Sequence, residues 1–415
     1  MFEGKTKAAL RLVSGYQRGG VLNLDEIADS ASPGHCVRDF LRAKHPPAQP
    51  LDPKCLLQHW ADPPSVHPVI FSSLNAAVIR SAALRTSGAA GPSGIDARGW
   101  RRLCTSFHSA SGELCVAMSS FTRRLCTVFL SPDLLSPSLV CRLIALDKNP
   151  GVRPIGVCEV MRRIVAKAVL VILRDDIQET AGSHQLCAGQ LSGAEAAVHA
   201  VRRVFEEGST EAVLLVDASN AFNSLNHLVA LHNRQLCPPL STILINIYRS
   251  PASLLVSGEV ILSEEGTTQG DPLAMPMYAL ATVPLINQLH GTVDQVWYAD
   301  DACACGSIQD LLIWWNQLCI KGPAFGYFVN APKTWLVSKE RFHSIATTLF
   351  SDTDVQITSA GRSYLGAAIG SNAYVQEFVR DKVVGWSAEI TRLAKFAQVQ
   401  PHAAYSALTH GLSSH

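Results

Sequence analysis

Two adjacent aspartates, Asp300 and Asp301, follow the β-favouring residues Val296, Trp297 and Tyr298 and precede the small residues Ala302 to Gly306. The pattern predicts a β-hairpin with two carboxylates at its tip. Neighbouring like charges on a tight turn repel unless a cation lies between them, so the pair is a candidate metal site. A third carboxylate, Asp217, ends the almost continuous apolar run Ala212 to Val216. Such a run reads as a central strand covered on both faces. Its terminal aspartate either caps the following turn or ligates something.

Positive charge for a polyanion is concentrated in one place. From Arg142 to Lys167 there are six basic residues against two acidic ones. Two β-type runs flank Asn149-Pro150-Gly151, which predicts a hairpin presenting Lys148 and Arg153. A triphosphate needs such cations before a nucleophile can approach it; a solvated hairpin is the plainer alternative. Further on, Gly266 and Gly270 bracket Gln269, permitting close backbone approach to a ligand, and Pro272 suits the first turn of a helix reaching about Ile286. Lys333 falls between a turn and a strand.

These positions need elements to carry them. A second hairpin is expected at Leu254 to Leu262 with its turn at Ser257-Gly258. Helical periodicity covers Leu114 to Leu130, Ala194 to Phe205 and Ile308 to Cys319. A short strand pair is expected at Ser363 to Gly370. In the tail, Tyr374, Phe378, Lys382 and Trp386 recur at the i+4 spacing of a helix. Residues 1–90 carry the weakest pattern and read as a solvated, mildly basic lead-in (Lys5, Lys7, Arg11, Arg18).

Composition narrows the class. Of 415 residues 47% are hydrophobic and 17% charged, with net charge +1, so a globular core is expected and any polyanion site must be local. None of the twelve cysteines forms a Cys-x-x-Cys pair, which leaves zinc ribbons and thioredoxin-like motifs unsupported. Unbonded thiols and the absence of an apolar leader in Met1 to Leu10 fit an intracellular protein of nucleus or cytoplasm. No run approaches the ~20 apolar residues of a membrane span. The Gly189 to Gly193 loop lacks the Gly-Lys-Ser/Thr ending of a P-loop.

In their order along the chain, these motifs resemble the reverse transcriptase family over roughly residues 90–370. Lys148 and Arg153 match its fingers hairpin. Asp217 with Phe222 matches the first palm motif, and Thr268 to Pro272 the second. Tyr298-Ala299-Asp300-Asp301 matches the catalytic hairpin, Asn330 to Thr334 the lysine motif, and Leu365-Gly366 the primer-grip region. Gly91 to Asp96 and Tyr364-Leu365-Gly366 are most similar to non-LTR (LINE-type) retrotransposons.

The resemblance implies an α+β, right-hand polymerase fold. Fingers and palm would be joined by a truncated helical thumb, and the palm would be an antiparallel sheet with packed helices. The implied division is an N-terminal helical lead-in at 1–90, fingers with first palm elements at 91–210, palm at 211–370 and a partial thumb at 371–415. It implies RNA-directed DNA synthesis from dNTPs on an RNA template with a DNA or RNA primer.

By the same resemblance, Asp217 and Asp300, with Asp301 at the edge, hold two Mg²⁺ ions, or Mn²⁺ in their place. Lys148, Arg153, Phe222, Gln269 and Gly270 contact the nucleotide, Phe222 excludes a 2′-hydroxyl, and Lys333 protonates the leaving pyrophosphate. Asn223 stands where relatives often carry Asp, and no endonuclease or RNase H region is recognisable, as in a core cut from a longer element. A silent nucleic-acid-binding remnant is the alternative from another class, and intron-type or telomerase-type enzymes share these palm motifs.

Overall fold

In the computed structural model, residues 20–26, 36–55, 66–148 and 151–410 are described. Lys5, Lys7, Arg11, Arg18 and the turn residues Asn149 and Pro150 lie outside them. In chain order the strands are β1 (Cys141–Asp147), β2 (Val152–Cys158), β3 (Ala212–Val216), β4 (Ala252–Val256), β5 (Glu259–Ser263), β6 (Asp294–Tyr298), β7 (Asp301–Gly306), β8 (Trp335–Ser338), β9 (Gln356–Thr358), β10 (Gly361–Tyr364) and β11 (Ala367–Gly370).

They form a five-stranded sheet β6-β7-β3-β8-β9, a four-stranded sheet β2-β1-β4-β5 and the pair β10-β11. Helices pack around them, so the architecture is α+β.

The five-stranded sheet is buried on both faces because β3 is apolar at every position. Ala212, Leu214 and Val216 point with Ala302, Ala304 and Leu336 toward the helix Ile308–Lys321. Val213 and Leu215 point with Cys303, Cys305 and Val337 the other way, toward the helix Gly193–Glu206 and the β10-β11 pair. This is the period-2 alternation of a strand between two layers.

One detail departs from the all-antiparallel palm expected. β8 and β9 pair in parallel, because the intervening helix His343–Leu349 carries the chain back before β9 begins. A second departure is at Pro272, which falls in a turn before the helix Ala274–Gln288 rather than inside it. Asp271 makes that turn, accepting from the Leu273 N–H through its carboxylate and from the Ala274 N–H through its carbonyl.

Residues 20–26 and 36–55 are not a solvated lead-in. Leu22 N–H donates to Ala145 O at 2.9 Å and Asp147 N–H to Gly20 O at 3.0 Å, along β1. The helix Val37–Ala43 buries Val37 and Leu41 in the core formed by β1, β2, β4 and β5. Arg38 and Arg42 both pair with Glu259 on β5, Arg42 at 2.7 Å.

In the tail, the helix Asn372–Ala397 shows the expected i+4 run: the Tyr374 and Phe378 rings are 6.4 Å apart, and the Lys382 ammonium lies 5.5 Å from the Phe378 centroid.

A buried ion pair ties the helical core to the loop that carries Gln269. Arg162, on the helix Val160–Ile172, donates to the Asp271 carboxylate, which also accepts from Tyr248 Oη at 2.8 Å. The Asp271 side chain is fully buried and that of Arg162 is 5% exposed. Removing one partner strands a charge in the interior, whereas replacing both with apolar groups does not. Asp271→Ala is therefore expected to lose about 3–5 kcal/mol in urea unfolding. The double change Arg162→Met with Asp271→Leu should lose much less, and equal losses would mean that the pair's desolvation is not the controlling cost.

Candidate active site

Tyr298 and Asp301 face each other across β6 and β7, leaving Ala299 and Asp300 as a two-residue turn. Turns this short need positive φ, and Ala299 has φ 55°. For a residue with a Cβ that conformation costs about 1–3 kcal/mol.

Gln185, fully buried, offsets it. The Ala299 N–H donates to Gln185 Oε1 at 2.9 Å, and Gln185 Nε2 donates to Ala299 O at 3.2 Å and to Thr282 Oγ1 at 3.1 Å. On either side of Gln185, Leu186 N–H donates to Trp297 O (2.8 Å) and Trp297 N–H to His184 O (2.6 Å). From below, Tyr327 Oη donates to Asp300 O at 2.8 Å, and its ring meets Trp297 edge-on at 5.2 Å.

Asp217 reaches the same place from the neighbouring strand. Val216 is opposite Ala302 in the antiparallel β3-β7 pair, so Asp217 emerges beside the turn. The Asn330 backbone N–H donates to Asp217 O at 2.8 Å, and Asn330 Nδ2 to Asp217 Oδ2 at 3.0 Å. This fixes one carboxylate oxygen of Asp217.

Burial raises the Asp300 carboxyl above its usual range. Its own backbone N–H opposes that shift, Asp217 adds to it, and Lys148 and Arg153 pull it back. Asp301 is pushed up to about 7, first by burial and then by Asp300 and Asp217. No ion pair neutralises any of the three among the described residues.

Two cavities open on either side of this edge. The first, of about 330 Å³, is lined by Lys148, Arg153, Phe222, Gln269 and Asp300, all expected from the sequence, and also by Lys44. The Phe222 ring is backed by the buried Tyr278 ring at 4.7 Å, which gives the cavity a rigid wall. The second, of about 410 Å³, brings together Asp217, Asp301, Lys333, Arg362 and Tyr364. There the Arg362 guanidinium stacks 4.2 Å from the Trp335 ring centroid.

Gly270 lines neither cavity. Its φ of 112° and its bare Cα instead let the loop meet β2, where an added Cβ would lie 2.6 Å from Gly156 O. The Gly156 N–H donates to Gln269 O at 3.0 Å in the same contact. Close backbone approach here docks the Lys148–Arg153 hairpin onto the Gln269 loop.

The reverse transcriptase (RNA-dependent DNA polymerase) family matches residues 146–369, more than half of the chain and a span that includes both cavities' carboxylates. The chain belongs to this family. Its fold is the right-hand polymerase fold, built here on a five-stranded and a four-stranded sheet with helices packed around them. Among solved structures it is similar to an apo telomerase of Candida tropicalis truncated from its C-terminal domain, with 11% identity and a TM-score of 0.41. That likeness covers 56% of this chain and 54% of the telomerase chain. No curated protein matches it.

Reverse transcriptases generally use divalent metals, and the donor set here fits one. Among the described residues no three His, Cys, Asp or Glu side chains are gathered closely enough to enclose an ion unaided. Mg²⁺ does not require that, being held by one or two carboxylates with substrate phosphates and waters completing its shell. Hard carboxylate oxygens on Asp217, Asp300 and Asp301, with the last two raised in pKa by burial and by their neighbours, suit such an ion.

Residues that the sequence left without a role are Gln185, Tyr327 and Asn330, which hold the aspartates, and Lys44. Glutamine buried against a non-glycine positive-φ residue is visible only in three dimensions. Gln185→Leu strands the Ala299 N–H and C=O in the interior, so a loss of about 1–3 kcal/mol is expected in chemical denaturation. An unchanged midpoint would show that the turn holds without it.

Proposed function

We propose that the protein is the RNA-directed DNA polymerase of a non-LTR retrotransposon, adding dNTPs to a primer 3′-hydroxyl by two-metal phosphoryl transfer. The observation that carries this reading is the first cavity. It brings together two cations (Lys148, Arg153), an aromatic ring (Phe222) and the carboxylate of Asp300. A nucleoside triphosphate has the complementary parts: a polyanionic tail, a sugar and a reacting phosphorus. The LINE-type assignment is supported by the Gly91 to Asp96 and Tyr364-Leu365-Gly366 motifs. Among the described residues no helix is long and apolar enough to cross a membrane.

Each residue has work that follows from its place. Lys148 and Arg153 neutralise the triphosphate tail. The Phe222 ring, immobilised by Tyr278, lies under the sugar and leaves no room for a 2′-hydroxyl. Gln269, with its carbonyl already bonded to Gly156, keeps its side chain for the nucleotide pocket. Asp217 and Asp300 hold the metal ions, with Asp301 supporting from the edge. Bound there, a pair of divalent ions supplies acidification of the 3′-hydroxyl and stabilisation of the leaving oxygens.

The second cavity, lined by Asp217, Asp301 and Lys333, receives the primer end, and Lys333, near enough to Lys44 of the first cavity to lower its pKa, gives a proton to the departing pyrophosphate on that side. Template RNA, a DNA or RNA primer and dNTPs are the partners this arrangement needs.

Purified protein on a primed RNA template is expected to incorporate dNTPs only with Mg²⁺ or Mn²⁺, and Asp300→Ala is expected to lose at least a thousandfold in rate, about 4 kcal/mol in barrier. Wild-type incorporation no higher than that of Asp300→Ala would identify the chain as a silent nucleic-acid-binding remnant. Phe222→Ala should raise ribonucleotide use relative to deoxyribonucleotide use by about tenfold or more. An unchanged ratio would remove Phe222 from beneath the sugar.

A further inference from the structure

The first cavity contains a cation that the palm and the fingers hairpin do not supply. Lys44 ends the helix Val37–Ala43, where its N–H donates to Phe40 O at 3.0 Å. It lines the cavity together with Lys148, Arg153 and Asp300. We propose that Lys44 is a nucleotide-binding residue that grips the β- and γ-phosphates of the incoming nucleoside triphosphate, so that the N-terminal segment completes the active site. This rests on reading the cavity as the nucleotide pocket.

Three observations support the placement. First, the segment is fastened directly to the palm. Asn220 Nδ2 donates to Lys44 O at 2.8 Å, three residues after Asp217 and two before Phe222. Asn220 has φ 53°, and it also donates to Ser224 Oγ at 3.2 Å and accepts from Asn223 Nδ2 at 3.0 Å, so its side chain is held on three sides.

Second, the chain beyond Lys44 is pinned across the same face. Ala48 N–H donates to Glu264 at 2.9 Å, Gln49 N–H to the buried Glu265 at 2.6 Å, and Asn226 Nδ2 to Pro50 O at 3.3 Å. With Arg38 and Arg42 fastened to Glu259 on the fingers sheet, Lys44 is held between fingers and palm.

Third, its surroundings are wrong for an isolated cation. The Lys44 ammonium is half-buried with no hydrogen-bonded carboxylate among the described residues. Burial lowers its pKa, and Lys148 and Lys333 lower it further. Lys44, Lys148 and Arg153 line one cavity, an arrangement that is unfavourable by itself and favourable around a polyanion. Lys148 and Lys333 are the cations assigned above to the triphosphate tail and to the leaving pyrophosphate. Sharing its cavity with Lys148 and Arg153, Lys44 meets the phosphates that those two cations hold.

The test is equilibrium binding of a dNTP to the primed complex with Ca²⁺ as a non-reactive ion, comparing wild type, Lys44→Met and Lys44→Arg, with the matching deoxynucleoside monophosphate as control ligand. Lys44→Met keeps the apolar stem and is expected to weaken dNTP binding about tenfold, the loss of one charge-assisted contact. Monophosphate affinity should be unchanged, the melting temperature should stay within a degree or two, and Lys44→Arg should recover most of the affinity. Unchanged dNTP affinity in Lys44→Met, or equal weakening for both ligands, would overturn the assignment. Wild-type protein that incorporates dNTPs normally alongside such a result would overturn Lys44 alone; wild type that neither binds nor incorporates dNTPs would overturn the pocket reading itself.

Discussion

Everything at this site depends on one backbone conformation. Ala299 sits at φ 55° so that the β6-β7 hairpin can turn in two residues, and only that turn aims Asp300 and Asp301 past the end of β3. A left-handed alanine is unfavourable by itself, and the surroundings over-determine it: both polar groups of its backbone are held by one buried glutamine, and Tyr327 holds the next carbonyl. Gln185 comes from a segment bridged to the edge strand β6, and Tyr327 from the segment that precedes β8. The turn is therefore a product of distant segments rather than of its own four residues.

From that turn the electrostatics follow. Three carboxylates meet at one sheet edge without a paired cation among the described residues, and two of them are raised in pKa by burial and by each other. The basic residues share a cavity with one of them, Asp300, and lie on a hairpin and a helix end that belong to other parts of the chain. These opposite charges would be brought into register by a ligand carrying both phosphate and metal. The docking of Gly156 on Gly270 positions the basic residues of the hairpin, because it fixes that hairpin against the loop of Gln269.

Much of this was legible in the sequence, for identifiable reasons. The β3 run declares a doubly covered strand because no polar residue interrupts it, and the Tyr298 to Asp301 hairpin because alternation stops at a charge pair. The spacing of Tyr374, Phe378 and Lys382 declares a helix. What was not legible depends on contacts between distant segments. Lys44 lies in a stretch of weak pattern, and nothing local says that Asn220, 176 residues later, will hold its carbonyl. The parallel β8-β9 pair is set by a seven-residue helix whose direction no periodicity specifies. At Gly270 the close approach that the structure shows is to the protein's own backbone at Gly156, a partner that the local sequence does not name.

The central claim is that the carboxylate edge and the cationic cavity form one site, joined by a metal ion and a triphosphate together. Calorimetric titration of a dNTP with and without a divalent ion measures that coupling directly, since two ligands sharing one site must raise each other's affinity equally. In wild type, divalent ion is predicted to tighten dNTP binding at least tenfold, and dNTP to tighten ion binding by the same factor. Asp300→Asn should abolish the coupling while keeping metal-independent dNTP binding through Lys148 and Arg153. Equal dNTP affinity with and without the ion in wild type would contradict the account.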